Sequence, residues 1–349
     1  MAGPRITFEL TNLCQLNCLH CIAADRDRTQ SLPLDLYEDI LRQASDYGIR
    51  NIIFTGGEPT LHPRFADVLD IACRMGFTFG LVSNGWNFPR TLPILRQYRQ
   101  GLELVTFSLD GATEETHDSL RGPGSYQKVL SAMDLCKKEG MPFYVQSVLS
   151  SRNYTQVEGV CDLVLEKGAR LLRFIALSPT SQTAKEGLDL PPEKYMEVGD
   201  QVFKLAPKYK PRLTVVMFQG MHPPVPWIGC EFLATQTFAI DAQGCLGFCN
   251  NVSGYAGCHP GPEVVADLGK MSFSEAVRRQ IQMVARFQLD KVEAIEKGTI
   301  SDRDIIFPCW YCAKYFNKTD WLKEFPGHPW NEWDRTEAVE EKLRTGGKA

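Results

Sequence analysis

Between Ile6 and about Ala176 short β-rich runs alternate with stretches of helical period, the sequence sign of successive βα units around a parallel sheet. The runs Ile6–Leu10, Asn51–Thr55, Phe77–Ser83, Leu104–Ser108, Phe143–Leu149 and Leu171–Ala176 are each followed by a loop and then a helical stretch. Among the predicted helices are Asp35–Tyr47, Arg64–Met75, Ser125–Glu139 and Thr155–Lys167, with apolar residues near helical period as at Val129, Met133 and Cys136. Gly48, Gly76, Gly140 and Gly168 follow these four helices as C-terminal stops. Six units fall short of the eight that close a full barrel. In such α/β folds functional residues sit at the C-terminal ends of the strands.

The chain has 349 residues, 44% of them hydrophobic and 23% charged, so it has material for a core and no signature of disorder. With 38 Lys and Arg against 42 Asp and Glu, the formal charge of −4 gives no electrostatic case for nucleic acid. No run approaches the roughly 18 apolar residues of a membrane span, and the N-terminus shows no signal segment. A cytoplasmic protein is expected, and twelve cysteines in a reducing compartment point to metal or redox chemistry.

After Pro191 and Pro192 a helix is predicted from about Glu193 to Leu205, and then the texture changes. Pro and Gly thicken around Met221 to Gly229, and six of the twelve cysteines lie from there to Cys312. This stretch reads as a smaller domain organised around something other than a large apolar core. The expected division is a barrel over residues 1–210, a cysteine-rich domain over 211–335 and a charged tail over 336–349.

Cys14, Cys18 and Cys21 form a Cys-x3-Cys-x2-Cys motif directly after the first strand. Three thiolates on one loop can wrap three corners of a cubane that normally takes four, leaving one iron open; spacing alone also allows zinc. At the end of the second strand stands Gly56-Gly57-Glu58-Pro59, whose glycines allow close backbone approach and whose Glu58 can accept from an ammonium group. With these two segments in these places, the chain resembles the radical S-adenosylmethionine (SAM) superfamily. The resemblance implies a partial (β/α)6 TIM-like barrel in which SAM chelates the open iron of a [4Fe–4S] cluster and is cleaved to a 5′-deoxyadenosyl radical that abstracts hydrogen from substrate. Carried over by residue, it implies cluster ligation by Cys14, Cys18 and Cys21 and capture of the methionine amino group by Gly56, Gly57 and Glu58. Ser108 and Asp110 in Ser-Leu-Asp-Gly resemble ribose or carboxylate contacts, and the Ser83-Asn84-Gly85 turn and Arg121 sit where related enzymes meet SAM. His20 stands where the family usually has Tyr or Phe; its planar imidazole is suited to stack on adenine.

Cys230 and Cys249 frame a Cys-x13-Gly-x4-Cys pattern through Gly244, and Cys309 and Cys312 follow in Pro-Cys-Trp-Tyr-Cys after a predicted helix, Ser274–Phe287. Four thiolates suit tetrahedral zinc equally well. The arrangement is similar to the twitch domain, a shortened SPASM domain that follows many radical SAM barrels, which implies one auxiliary [4Fe–4S] cluster. Cys245 and Cys258 are left over, as alternative ligands, hydrogen donors or silent thiols. Cys73, Cys136 and Cys161 read as small core residues, and His62, His117 and His222 lack partners at ligand spacing.

A cluster with four protein ligands cannot chelate substrate, so electron transfer is its natural role. This leads to an expected two-electron oxidation of a small polyol, sugar or aminocyclitol, with an external reductant such as flavodoxin or ferredoxin. Tyr255, Asp241, Arg173 and Arg152 are candidates for the group near the carbinol. The alternative is a peptide-modifying maturase; the chain begins almost at once with the first strand, so no leader-gripping segment is expected, which disfavours peptides. A non-catalytic iron–sulfur carrier is opposed by the intact Cys14, Cys18 and Cys21 with Gly56, Gly57 and Glu58.

Overall fold

Alternation along a strand places opposite sides of the chain in different surroundings. In β1 (Arg5–Thr11), Ile6, Phe8 and Leu10 are fully buried, and Phe8 packs edge-on against Tyr37 of α1 (Leu34–Asp46), ring centroids 5.1 Å apart. The same layering repeats through β2 (Asn51–Gly56), α2 (Phe65–Arg74), β3 (Thr78–Ser83), α3 (Phe88–Gln97), β4 (Leu102–Ser108), α4 (Glu114–Arg121) and α5 (Ser125–Lys138). It continues through β5 (Phe143–Leu149), α6 (Val157–Lys167), β6 (Leu171–Ala176), α7 (Ser181–Lys185), α8 (Pro192–Tyr209) and β7 (Thr214–Phe218). These elements come from a computed structural model that describes residues 3–218, 230–254 and 261–331.

All six predicted strands are present within two residues of their expected bounds. Each of the four glycines expected to stop a helix has positive φ, from +60° at Gly140 to +91° at Gly168. The expected Thr155–Lys167 helix is instead a 3-10 turn over Tyr154–Gln156 followed by α6. The helical stretch expected after the third strand is α3, which holds Pro89 in its first turn, where no intrahelical N–H is needed.

The strands form one sheet in the order β10-β9-β8-β1-β2-β3-β4-β5-β6-β7. Neighbours from β1 to β7 pair in parallel. β7 begins beyond the boundary expected at residue 210, yet it continues the sheet beside β6. The cysteine-rich part enters the same sheet: β8 (Thr237–Ile240) pairs in parallel with β1, Phe8 opposite Ile240. Then β9 (Cys245–Gly247) and β10 (Val264–Asp267) add antiparallel. Between them lies α9 (Asn250–Gly254), and after them come α10 (Phe273–Glu296), α11 (Asp302–Ile306) and α12 (Pro308–Tyr315). The helix expected over Ser274–Phe287 runs on to Glu296, supported by i,i+4 pairs such as Arg286–Asp290 and stopped by Gly298 at φ +66°.

Two apolar cores result. The main one lies between sheet and helices and stacks Phe54 against Phe79 and Phe107 against Phe143 on adjacent strands. The smaller gathers Phe248, Cys249, Val252, Phe287, Tyr311 and Phe316. Cys136 and Cys161 are fully buried in the main core, while Cys73 packs half-buried at its edge. Phe54 is fully buried between Tyr37 and Phe79, so Phe54→Ala should lower stability by about 3–5 kcal/mol; denaturant unfolding followed by tryptophan fluorescence measures this, with Phe54→Leu expected to lose less.

Candidate functional site

The three-cysteine loop leaves the C-terminal end of β1 and is closed at its base. Thr11 Oγ1 donates to Gln30 O at 3.0 Å, Asn12 N to Gln30 O at 3.0 Å and Leu32 N to Leu10 O at 2.9 Å. Within it Cys21 N donates to Cys18 O at 3.1 Å, and Leu19 N reaches Leu120 O of α4 at 2.9 Å. The end of β2 lies directly on this loop: Gly57 N donates to Thr11 O at 2.7 Å and Glu58 N to Leu13 O at 2.8 Å. A Cβ on Gly56 would stand 2.4 Å from Thr11 O, and one on Gly57 2.4 Å from Leu13 O, so both positions require glycine.

Glu58 is 1% exposed and already has protein partners. Its Oε1 accepts from Ser83 Oγ at 3.0 Å and Thr60 Oγ1 at 2.7 Å, and its Oε2 from Asn84 N at 2.9 Å. Burial raises its carboxyl, against these lowering bonds. Glu58 therefore ties the ends of β2 and β3 together. Asn84 carries the link onward, its amide reaching Cys14 Sγ at 3.8 Å while its Oδ1 accepts from Gln15 Nε2 at 2.9 Å.

Asp110, fully buried, organises a second cluster behind the loop. Its carboxylate meets Arg121 Nε and accepts from Val148 N at 2.7 Å, and His20 Nε2 lies 3.2 Å away. Burial opposes ionisation, yet Arg121, His20 and His117 hold the Asp110 carboxyl below its ordinary value. Arg121 Nη1 in turn points to Cys18 Sγ at 3.9 Å, so the guanidinium bridges Asp110 and the cysteine loop. Burial pushes the Cys18 thiol up to about 11, with Arg121 opposing. Burial pushes His20 down to about 4, against the pull of Asp110, so its imidazole is neutral near pH 7. His117 accepts from Asp110 N at 3.1 Å through Nδ1, which fixes the Nε2–H tautomer. Ser108, also buried, accepts from Gln146 Nε2 at 3.3 Å on the next strand.

The later cysteines come together from three distant segments. Cys230, Cys249, Cys309 and Cys312 line one cleft, with Phe232, Leu233, Phe248, Trp310 and Trp330 among its walls. Cys309 and Cys312 share the first turns of α12, which Pro308 opens. Val252 N donates to Cys249 Sγ at 3.4 Å. The Ala176–Pro179 segment beyond β6 forms another wall, which sets the cleft at the C-terminal rim of the sheet. Among the described residues no three Cys, His or acidic side chains close on a single ion position.

Cys245 is elsewhere, in a cleft of about 240 Å³ with Glu9, Asp241 and Ser253. Burial raises its thiol to about 12. Asp241 holds a turn there, its Oδ1 accepting from Gln243 N and Cys245 N, both at 2.9 Å. Arg173 lies on β6 opposite Gln146 and Val216. Arg152 donates to Ser119 O at 2.8 Å and pairs with Glu186, tying loops together. Tyr255, Cys258, His222 and the tail over 336–349 lie outside the described residues. Sequence reading missed Arg26, which joins Glu9 of β1 to the carbonyl of Ser253 and so clasps the cysteine loop to the cysteine-rich part. Its partners are more than two hundred residues apart at one end, and only the alternation of Glu9 with Phe8 and Leu10 hinted at a polar inner row.

Residues 8–164 match the Radical SAM superfamily. The chain carries a radical SAM domain, of the superfamily that uses a [4Fe–4S] cluster and SAM. It is 26% identical to the AdoMet-dependent heme synthase of Methanosarcina barkeri over 78% of this chain and 82% of that one. It is 27% identical to the antilisterial bacteriocin subtilosin biosynthesis protein AlbA of Bacillus subtilis over 48% of this chain, and 28% identical to the mycofactocin maturase MftC of Mycobacterium tuberculosis over 58%. The chain spans only 38% and 56% of those two relatives. The fold is shared with Streptococcus suis SuiB bound to precursor peptide SuiA (TM-score 0.66, 15% identity, 79% and 64% of the chains) and with anSMEcpe bound to AdoMet (0.64, 17%, 81% and 82%). A twitch or SPASM-type auxiliary cluster fits these relatives, and no helix among the described residues is long and apolar enough to cross a membrane.

The residues present fit these groups: the glycine pair brings two backbones into contact beneath the cysteine loop, and four free thiols line the rim cleft. Gly57→Ala should displace Leu13 and with it the loop. Iron analysis on anaerobically reconstituted protein should show loss of about four irons, with dithionite-driven SAM cleavage abolished and the auxiliary iron kept. A second expectation concerns His117, which burial, then Arg121, pushes down to about 4. Between that value and the unfolded imidazole's pKa of about 6.5 the unfolded chain binds the extra proton, so stability falls as pH drops through this window. Urea unfolding of apoprotein across the window should show a shallower fall in His117→Gln, whose amide oxygen can still accept from Asp110 N.

Proposed function

We propose that this enzyme oxidises a peptide side chain by two electrons. The carrying observation is the convergence of Cys230, Cys249, Cys309 and Cys312 on one cleft at the rim of the sheet. Four protein thiolates occupy every corner of a cubane, which leaves electron transfer as the role of that site. When bound, the first-loop cluster and SAM supply a 5′-deoxyadenosyl radical, reduced into being by an external flavodoxin or ferredoxin. The substrate then loses one hydrogen atom to that radical, one electron to the auxiliary site and one proton to a base, a net loss of two hydrogens.

The chain's own residues prepare this step. Cys14, Cys18 and Cys21 hold the first cluster; Gly56 and Gly57 admit the methionine end of SAM, and Glu58 fixes Ser83 and Asn84 beside it. Arg121 sets a positive charge against Cys18, and Asp110, neutralised by it, keeps the guanidinium in place. His20, with its ring edge beside Asp110, and Ser108, beside Gln146, are the residues proposed to meet the adenosine of SAM.

The substrate class rests on AlbA and MftC, whose names tie them to a bacteriocin, a peptide product, and to maturation. A polyol, the substrate expected from the four-thiolate argument alone, has no counterpart among the relatives named above. A porphyrin is a second reading, favoured by the heme synthase, whose match extends over most of both chains. Reconstituted enzyme with SAM and dithionite is offered short peptides encoded beside its gene and, separately, an iron porphyrin. A peptide lighter by two hydrogens supports the first reading, and porphyrin turnover with inert peptides overturns it. The double variant Cys249→Ala, Cys312→Ala should still form 5′-deoxyadenosine but release no oxidised product; undiminished product would overturn the electron-acceptor role.

A further inference from the structure

An asparagine side chain is directional: one edge of its amide accepts and the other donates, so its neighbours decide what each edge meets. At Asn84 main chain and side chain are both pinned. Asn84 N donates to Glu58 Oε2 at 2.9 Å. Its side-chain Oδ1 takes two donors, Gln15 Nε2 at 2.9 Å and Trp86 N at 2.9 Å. Turning the amide over would set its NH2 group against two N–H donors, so Nδ2 stays on the other edge, where it donates to Cys14 Sγ at 3.8 Å. Trp86 is a local partner two residues along the same turn, whereas Gln15 comes from the cysteine loop, 69 residues earlier. Gln15 directly follows Cys14, so one loop supplies both the group that orients the amide and the sulfur that the amide meets. Arg28 Nη1 donates to Cys14 O at 3.2 Å and holds the loop main chain at that point.

We infer that Gln15 is a positioning residue that holds the Asn84 amide with its N–H on Cys14 Sγ, and that this N–H···S bond raises the reduction potential of the first-loop cluster. The inference rests on the reading of Cys14, Cys18 and Cys21 as the ligands of that cluster. A donor on a ligand sulfur stabilises the more negative, reduced state, so the potential rises. A higher potential eases uptake of the electron that an external flavodoxin or ferredoxin delivers. Arg121, whose Nη1 points to Cys18 Sγ, brings a full charge to the same loop; Gln15 and Asn84 act on Cys14 without one.

The test uses the full chain carrying Cys249→Ala and Cys312→Ala, so that the first-loop cluster alone reports. Iron and sulfide are measured first, then the potential by EPR-monitored titration before SAM is added, in Gln15→Leu, in Asn84→Ala and in the two combined. The expected result is the parent's iron throughout, a lower potential in each single variant and no further fall on combining them, because Gln15 acts through Asn84. An unshifted potential in a loaded Gln15→Leu, or two falls that add, overturns the inference. So does a Gln15→Leu that fails to load while Asn84→Ala loads, since Gln15 then does more than turn the amide. If both fail to load, the loaded parent decides by ENDOR after labelling asparagine side chains with 15N: coupling of an exchangeable proton and of amide 15N to the reduced cluster supports the bond, and its absence overturns it. Iron that survives Cys14→Ala, Cys18→Ala and Cys21→Ala in this parent overturns the cluster reading of the loop, and the inference with it.

Discussion

Two backbones in direct contact set the geometry on which this enzyme depends. Gly57 N and Glu58 N bond to the carbonyls of Thr11 and Leu13, and no side chain larger than hydrogen fits at Gly56 or Gly57. Because hydrogen bonds of this kind are short and directional, the cysteine loop is held to the end of β2 rather than hanging from β1. Glu58 extends the same joint sideways to Ser83 and Asn84, and Asn84 returns to Cys14. The strand ends therefore move as one body, as a site that must place a radical beside a carbon–hydrogen bond requires.

A second constraint is electrostatic. Cys18, Arg121, Asp110, His20 and His117 are packed where water does not screen them, so each charge needs a partner. Arg121 and Asp110 cancel, and the two imidazoles stay neutral. What remains at the thiol is a directed positive group, in a place where three thiolates gather negative charge. The cysteine-rich part faces the opposite problem. Burial pushes Cys249 and Cys312 up, and Lys291 is the cation that lowers Cys312. Iron is the natural source of the missing positive charge.

The two parts of the chain are one sheet rather than two beads. β8 lies against β1 and Arg26 reaches from the first cysteine loop to Ser253, so the rim cleft is fixed relative to the barrel strands. That continuity was not legible from the texture change near residue 210, because strand pairing between residues 8 and 240 has no local signature.

Local period and spacing in the sequence determined the six βα units, the glycine stops and the two sets of cysteines, because each depends on residues within one turn or one loop of each other. Tertiary structure decided where these sets sit, since Cys230, Cys249, Cys309 and Cys312 are brought from three segments to one cleft while Cys245, four residues from Cys249, is turned into another. It likewise showed that Asp110 and Glu58 tie strand ends together, because a side chain's partners from other strands are known only when those strands are in place.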